Sequence, residues 1–350
     1  MSAPLAITLG DPAGIGPEII AKAAALGELH HSVVFGDPAH LQRALDVLGM
    51  SDWRLHHLQP GQALAAAAQP HTKAHTIAVA DPALWPGLPP TGATKQEPLV
   101  PWGQVSARAG LLAAQAVVAA SQAALRGEAS GVVTAPLHKE ALAAAGFDYP
   151  GHTELLQAQA AAFKGVALSD MPVRMMLAND ELRTVLVSIH VSLREALDLV
   201  TTERVLQTIR ITHESLSKLL GHAPRIAVAG LNPHAGEGGL FGREDIDRIA
   251  PAVAQAQALG ITVSGPHAPD TVFMRARAGE FDVVVAMYHD QGLIPVKYLG
   301  LDEGVNVTLG LPLVRTSPDH GTAFDLAGTG RADPASLVAA VRMARRLAAI

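Results

Sequence analysis

Short apolar runs alternate with alanine-rich stretches along most of the chain, and this alternation constrains the fold more than any other feature. Runs rich in Val, Ile and Leu are typical of buried strands, and the longer stretches between them are typical of helices. Strands that alternate with helices form a largely parallel sheet covered on both faces. The sequence therefore predicts an α/β fold.

The elements can be read directly from the sequence. The predicted strands are PLAITL, HSVVFGD, TIAVAD, GVVTAP, VRMMLA, LRTVLVSIH, RIAVAG, FDVVVAMY and VNVTLG. The predicted helices are Val105 to Leu125, Arg204 to Leu220, Glu244 to Leu259 and Ala335 to Ala348. Residues 53–101 are rich in Ala, Pro and Gly and contain only one predicted strand. A chain of 350 residues can form two domains, and we expect the functional site in a cleft between them.

The composition excludes several classes of protein. The chain has no Cys, which excludes disulfides, thiolate catalysis and zinc ribbons and fits a reducing compartment. Its net charge is -6 and its 26 Lys and Arg are scattered, so we expect no nucleic-acid partner. The start, MSAPLAITLGDPAG, has no positive region and only a short apolar run, so neither a signal peptide nor a membrane span is predicted there. We expect a cytoplasmic globular protein that acts on small molecules.

A glycine-rich turn follows the first predicted strand. In LGDPAGIGPEII, Gly14 and Gly16 precede a helix that Pro17 and Glu18 open. Such a turn lets the backbone approach a cofactor or substrate. The spacing is not the G-x-G-x-x-G dinucleotide fingerprint, and an ordinary strand-to-helix turn is an equal alternative.

Three histidines each come just after a predicted strand: His190 after LRTVLVSI, His234 after RIAVAGLNP and His289 after FDVVVAMY. Because the carboxyl ends of parallel strands lie at one edge of a sheet, the three imidazoles could converge on one divalent metal and leave positions open for substrate. The chain has 16 His and no local H-x-x-x-H spacing, so separate core or surface histidines remain an alternative. The stretch AGEGGLFG lacks the Lys and Ser/Thr of a P-loop and is predicted to be a turn that fixes His234.

Two carboxylates accompany the histidines. Asp270, in GPHAPDTVF, and Asp290, beside His289, could ligate a metal, orient a ligand or accept a substrate proton. Asp270 could instead cap a helix that starts at Thr271. In MYHDQGLIPVK, we expect Gly292 to turn the chain.

Cationic and polar residues late in the chain predict an anion site. Lys297, Asn306 and Arg315 suit a phosphate or carboxylate, and His152 and Thr153 in GHTELL could add a helix N-terminus. Most Lys and Arg side chains in proteins lie in solvent without a ligand, and this is the alternative for Lys297 and for Arg315.

Taken together, the sequence resembles the 4-hydroxythreonine-4-phosphate dehydrogenase family of vitamin B6 biosynthesis over almost the whole chain. The matching stretches, in order, are GDPAGIGPEI, TAPLHK, GHTELL, MMLA, GLNPHAGEGG, MYHDQGLIPVK and GVNVTLGLPLVRTSPDHGTAFDLAG. GDPAGIGPE and DHGTAFDLAG also resemble the glycine turn and the adenosine loop of isocitrate and isopropylmalate dehydrogenases, whose fold the family shares. The resemblance implies two α/β/α domains, residues 1–135 plus 311–350 and residues 136–310, with the active site in the interdomain cleft at a dimer interface.

The resemblance also implies a role for each candidate residue. The metal, which is zinc, cobalt, magnesium or a similar ion, is bound by His190, His234 and His289. The residues close to the reacting centre are Asp270, Asp290 and Lys297. The substrate is bound by His152, Thr153, Lys297, Asn306 and Arg315. The cofactor, NAD with NADP as the alternative, contacts Gly14, Gly16, His320, Gly321, Thr322 and Asp325. The implied assembly is a homodimer whose metal site takes ligands from both subunits.

The implied reaction is NAD-dependent oxidation of 4-phosphohydroxy-L-threonine at its C3 hydroxyl. A metal lowers the pKa of that hydroxyl, hydride passes to the nicotinamide, and the resulting β-keto acid loses carbon dioxide to give 3-amino-2-oxopropyl phosphate. A sister dehydrogenase acting on 4-phosphothreonate, 4-phosphoerythronate or a cyclic diol would share the same stretches. Histidines with carboxylates also suit water activation, so a metal-dependent hydrolase or phosphotransferase is the alternative of another class. A non-catalytic binding protein for phosphorylated metabolites is a third.

Overall fold

The structure, a computed structural model, describes residues 2–59, 61–67, 75–85, 98–300 and 303–348. Its strands, numbered along the chain, are β1 (Leu5–Thr8), β2 (Ser32–Phe35), β3 (Arg54–His57), β4 (Thr76–Ala80), β5 (Gly131–Thr134), β6 (Arg174–Ala178), β7 (Arg183–Leu186), β8 (Ile226–Ala229), β9 (Val263–His267), β10 (Val283–Ala286), β11 (Val305–Leu309) and β12 (Arg315–Pro318).

The α-helices lie between these strands. They are α1 (Gly16–Ala25), α2 (Pro38–Val47), α3 (Leu64–Ala67), α4 (Ala107–Leu125), α5 (Lys139–Ala144), α6 (His152–Lys164), α7 (Leu193–Leu199), α8 (Thr202–Leu220), α9 (Ala250–Ala258), α10 (Val272–Arg277), α11 (His289–Leu299) and α12 (Ala335–Ala348). Within the described ranges, no helix combines the length and the apolar content needed to cross a bilayer.

The chain forms two compact units. The first comprises Met1–Met171 and Leu311–Ile350, and its strands follow the order β3-β4-β2-β1-β5-β12, with every pair parallel. The central strands β1 and β2 are buried along their whole length, as expected of strands covered on both faces. The chain passes from β1 to β2 on one side, whereas β5 lies on the other side. The carboxyl ends of β1 and β5 therefore flank the kind of switch point at which α/β folds bind ligands.

The second unit comprises Pro172–Gly310, and its strands follow the order β11-β6-β7-β10-β8-β9. The strands from β7 to β9 in this order are parallel, and β6 is antiparallel to both of its neighbours. Strands β8 and β10 are completely buried, and residues such as Leu186, Ala229 and Val284 form the core around them. Both units confirm the predicted α/β fold with largely parallel sheets.

Three strands are not predicted by the sequence pattern, namely β3, β9 and β12. β3 (RLHH) is polar and only partly buried, and β12 (RTSP) is buried although it has no apolar run. β9 (VSGPH) contains Gly and Pro, which normally mark turns. The stretch 53–101, with only one predicted strand, thus contains β3 as well as β4, and part of it lies outside the described residues. The single helix predicted over 244–259 is a π-helical turn, Asp245–Ile249, followed by α9.

The chain first crosses from the first unit to the second between residues 171 and 172. The resemblance implies that this boundary lies between residues 135 and 136. Residues 136–171 pack with the first unit because Leu155 and Leu156 of α6 contact Val117 and Val118 of α4 in one buried cluster. The second passage lies at 310/311.

Candidate active site

The glycine turn after β1 packs against the loop that follows β12. A Cβ atom on Gly14 would lie 2.9 Å from both the Cβ and the carbonyl oxygen of Thr322, and the backbone N–H of Ile15 donates to that same oxygen at 3.0 Å. A Cβ atom on Gly16 would lie 2.3 Å from the Leu9 carbonyl oxygen. Both glycines therefore permit backbone contacts that any side chain would prevent.

The residues predicted to contact NAD lie on these two segments of the first unit. Thr322 is buried against the turn, whereas His320, Gly321 and Asp325 are exposed. A Cβ atom on Gly321 would have no atom within 4 Å, so the loop has an open edge there. A glycine turn at the start of a helix, beside an open loop, fits the phosphates and ribose of a dinucleotide. The predicted cofactor residues on these two segments are Gly14, Gly16, His320, Gly321, Thr322 and Asp325.

The predicted anion site of the first unit centres on Arg315 and the start of α6. Arg315 is only 3% exposed, and its Nη2 donates to Thr134 Oγ1 at 2.7 Å. Burial lowers the pKa of Arg315 to about 10, so the side chain is a cation at neutral pH. His152 is the first residue of α6, and its Nε2 is buried with no hydrogen-bond partner among the described residues.

His152 is held neutral by its surroundings. Burial lowers its pKa well below the ordinary 6.5, the charge of Arg315 lowers it further, and a hydrogen bond with the Ala135 backbone opposes both effects. A neutral imidazole can donate one hydrogen bond and accept another. Thr153 follows at the N-terminal end of α6, where the helix dipole favours an anion. Arg315, His152 and Thr153 together suit a phosphate or a carboxylate.

Lys297 and Asn306, the other predicted substrate residues, belong to the second unit. Lys297 lies in the last turn of α11, and Asn306 lies on β11 opposite Leu177 of β6. Both side chains are half-buried. Their part in an anion site stays a prediction.

Two of the predicted metal ligands lie close together in the second unit. His190 follows β7 and His289 begins α11, and their ring centres are 5.6 Å apart. With metal–nitrogen bonds of about 2.1 Å and a tetrahedral angle, two ligating imidazoles have ring centres about 5 Å apart. The pair therefore fits two ligands of one divalent ion.

Asp290 orients one ring of this pair. Its Oδ1 lies 2.7 Å from Nδ1 of His289. A carboxylate that accepts the Nδ1 hydrogen leaves the lone pair on Nε2, which is the usual second-shell arrangement of a histidine ligand. Asp290 can therefore act on a metal ligand as well as on the substrate.

The third predicted ligand, His234, lies in a loop of unusual backbone conformation. His234, Ala235 and Glu237 have φ values of +54°, +53° and +40°, which are rare outside glycine. The buried Asp245 carboxylate holds the loop by accepting the backbone N–H groups of Leu231 and Asn232 at 2.8 and 3.1 Å. These two hydrogen bonds fix the backbone directly before His234.

His190 also has a left-handed backbone, with φ of +50°. Strained positions of this kind persist only where the surrounding structure imposes them, and they cluster at functional sites. Two of the three predicted metal ligands share this property. The shared backbone strain supports a functional role for both.

A cavity of about 700 Å³ in the second unit brings His234 together with both predicted catalytic carboxylates, Asp270 and Asp290. Tyr288 and Gln291 also line it. His190 and His289 are not among its lining residues, although Asp290 contacts His289 from its edge. In the described part of one chain, no three His, Asp or Glu residues form a group that could hold a metal.

One expectation from the sequence, the turn at Gly292, is wrong here, and one of the two alternatives left open for Asp270 is not borne out. Gly292 does not turn the chain but lies inside α11, where a Cβ atom would be 2.5 Å from Leu186 Cδ2 and 3.0 Å from Ala286 Cβ. It therefore lets the helix approach the sheet closely. Asp270 does not cap a helix, because α10 has Thr271 at its N-cap position and no side-chain cap.

Gln291 and Glu18 have structural roles that the sequence pattern does not predict, beyond the place of Glu18 at a helix start. Gln291 joins two strand ends through its side-chain amide, and the Glu18 carboxylate accepts hydrogen bonds from the loop after β12. The position of Gln291 two residues after His289 was the available signal for its role. Nothing local indicated the partners of Glu18, which lie more than 300 residues away along the chain.

The sequence and the fold of the chain were compared with those of known proteins. The chain is 50% identical to a 4-hydroxythreonine-4-phosphate dehydrogenase of Beijerinckia indica, over 98% of this chain and 95% of that protein. It is 44% identical to a D-threonate 4-phosphate dehydrogenase of Salmonella typhimurium, over 98% of each. The crystal structure of a 4-hydroxythreonine-4-phosphate dehydrogenase from Klebsiella pneumoniae is 42% identical and superposes with a TM-score of 0.85, covering 99% of this chain and 98% of that one.

The family model for the pyridoxal phosphate biosynthetic protein PdxA matches residues 28–344. This range includes all the predicted metal and substrate residues and the loop after β12. The glycine turn precedes it and is covered by the full-length relatives. The chain belongs to the pyridoxal phosphate biosynthetic protein PdxA family.

Proposed function

We propose that this protein is an NAD-dependent and divalent-metal-dependent dehydrogenase that oxidises 4-phosphohydroxy-L-threonine at its C3 hydroxyl. The observation that carries the proposal is the pair of imidazoles, His190 and His289, beside a cavity lined by Asp270 and Asp290. It occurs in a chain 50% identical to a relative named for this activity. The product is a β-keto acid, which loses carbon dioxide to give 3-amino-2-oxopropyl phosphate.

The metal centre is shared between two subunits in this proposal. His190 and His289 of one chain supply two nitrogen ligands, and the partner subunit's His234 supplies the third. This arrangement accounts for a pair of rings 5.6 Å apart in one chain and for a His234 that lines the cavity, whereas the two paired rings do not. When bound, the ion supplies Lewis acidity that lowers the pKa of the substrate hydroxyl.

The residues of the chain perform the remaining tasks. Arg315, His152 and Thr153 bind the substrate phosphate, since they combine a buried cation, a neutral imidazole and a helix N-terminus. Asp270 or Asp290, which share the cavity, accepts the hydroxyl proton. Lys297 and Asn306 bind the end of the substrate opposite its phosphate.

The cofactor lies along the glycine turn and the loop after β12. Gly14 and Gly16 let the backbone come close to a phosphate, and the open edge at Gly321 leaves room for the adenosine. The chain's part in hydride transfer is to hold the nicotinamide against the C3 hydrogen and to exclude water.

A second candidate is the oxidation of D-threonate 4-phosphate, because a relative with that name is 44% identical over 98% of this chain. The two substrates differ in an amino group against a hydroxyl, and the phosphate-binding residues would serve both. The distinction must therefore come from kinetics.

The test measures absorbance of reduced nicotinamide with purified protein, NAD and 4-phosphohydroxy-L-threonine, and with D-threonate 4-phosphate in parallel. Each reaction is run before and after chelator treatment and after addition of zinc, cobalt or magnesium. We expect chelator-sensitive reduction of NAD with the higher kcat/KM for the first substrate. Preference for the second substrate would establish the sister activity. No reduction with either would reject both candidate substrates and favour metal-dependent hydrolysis.

A further inference from the structure

Glu18, a buried acid in the first unit, bonds to a loop that is distant in sequence. Its side chain has no exposed surface. One carboxylate oxygen accepts a hydrogen bond from the backbone N–H of Gly328, and the other accepts from Gly330 at 2.8 Å. A carboxylate buried this deeply is costly unless it is fully hydrogen-bonded, so its presence needs a structural reason.

Lys22, one helical turn further along α1, binds the same loop through its carbonyl groups. Its Nζ donates to the carbonyl oxygen of Gly330 at 2.7 Å and to that of Ala332 at 2.5 Å. Glu18 thus accepts from the N–H of Gly330, and Lys22 donates to its carbonyl. Residues at i and i+4 lie on one face of a helix, so this face of α1 fixes a single residue through both of its backbone groups.

The other end of the loop is fixed at the start of α1. Ile15 donates its backbone N–H to Thr322, and Gly14 packs against that residue. The segment from Thr322 to Gly330 is therefore anchored to α1 at both ends, and the exposed Asp325 lies between the anchors. Anchoring at two points limits the positions open to the residues between them.

We propose that Glu18 is a positioning residue for the dinucleotide, acting through the backbone of Gly328 and Gly330 to hold the cofactor-binding loop against α1. This inference rests on the proposed function, because that function assigns NAD to the loop. In this proposal Glu18 contacts neither the cofactor nor the substrate. A carboxylate suits this position because both of its oxygens accept hydrogen bonds, whereas a Gln amide would place an N–H donor against one of the two backbone donors.

The test compares Glu18→Gln with a matched control, Glu28→Gln, in the full-length protein. Glu28 is an acid of the first unit that is half-buried rather than fully buried, and it accepts from Arg342 on α12 and not from the loop. Isothermal titration gives the Kd of NAD, a separate titration gives the Kd of inorganic phosphate, and hydrogen exchange follows the amides of residues 321–325 without ligand. Lys22→Met provides a second variant, since it removes only the donor of a partly exposed side chain.

We expect Glu18→Gln to raise the Kd of NAD about tenfold, to leave the Kd of phosphate unchanged and to speed exchange at residues 321–325. Lys22→Met should do the same more weakly, and Glu28→Gln should alter neither NAD binding nor this exchange. Wild-type NAD affinity and exchange in Glu18→Gln would overturn the inference while leaving the proposed function intact. A wild-type protein that fails to bind NAD or NADH would overturn the proposed function and the inference with it.

Discussion

The side-chain amide nitrogen of Gln291 lies 2.7 Å from the carbonyl oxygen of Gly230 and donates a hydrogen bond to it. The Oε1 atom of the same side chain accepts from the backbone N–H of Met287 at 2.7 Å. Gly230 follows β8 and Met287 follows β10, so one side chain joins the two strand ends that lead to His234 and His289. Gln291 therefore fixes the position of one predicted ligand loop relative to the other.

We expect Gln291→Leu to lower both stability and metal affinity. It leaves two backbone groups without their partner, which costs about 1–3 kcal/mol in the free energy of unfolding. Displaced ligand loops should weaken zinc binding about tenfold. Urea denaturation and zinc titration against a competing chelator measure the two effects. Gln257→Leu is the control, since Gln257 also bonds to a backbone carbonyl, that of Val263, away from the ligand loops. Equal zinc affinity in the two variants would refute the role of Gln291.

A metal site shared between subunits predicts complementation. His190→Ala and His234→Ala should each be inactive as homodimers, because each variant lacks one ligand in both sites. Mixed dimers should contain one intact site, so an equimolar co-refolded mixture should recover about one quarter of wild-type kcat. If all three ligands came from one chain, no intact site would form and the mixture would stay inactive. Mixing His190→Ala with His289→Ala is the control, since both lie on the same side of the proposed site and should not complement.

The depressed pKa of His152 predicts a loss of stability in acid. The unfolded chain binds a proton at His152 as the pH falls through 6.5, whereas the folded protein does not until a much lower pH. Below pH 6.5 the unfolded state therefore binds more protons, and the free energy of unfolding falls by up to about 1.4 kcal/mol per pH unit. Above pH 6.5 the effect is absent.

Urea denaturation between pH 7.5 and about 5 checks this expectation. The wild-type free energy of unfolding should decrease more steeply than that of His152→Asn, in which the titrating group is removed. His222→Asn, a change at an exposed histidine, controls for the loss of one imidazole. Parallel curves for the wild type and His152→Asn would show that His152 titrates normally in the folded protein.

Gly14→Ala and Gly321→Ala should separate packing from cofactor binding. A methyl group on Gly14 would lie 2.9 Å from Thr322, so it should destabilise the fold by about 1–3 kcal/mol and weaken NAD binding. A methyl group on Gly321 has open space, so the melting temperature should not change. If Gly321 borders the cofactor, its variant should still bind NAD less tightly. Wild-type NAD affinity in Gly321→Ala would remove this residue from the predicted cofactor site.

The sequence by itself determined the fold class and the order of the chemical groups along the chain. Apolar runs such as FDVVVA identify buried parallel strands, because period and residue type are local properties. The positions of His190, His234 and His289 directly after such strands are also visible in the local sequence. Strands with a polar sequence, such as Arg54–His57, cannot be predicted in this way, because tertiary contacts override their weak propensity for strand.

Only the tertiary structure decided which of these groups meet. It placed His190 beside His289 and His234 in a cavity with Asp270 and Asp290, and it gave both His190 and His234 a left-handed backbone. It also joined Glu18 to Gly328 and Gly330, more than 300 residues apart in sequence. Contacts of this kind depend on how the chain packs over long distances, and no residue pattern within one segment records them.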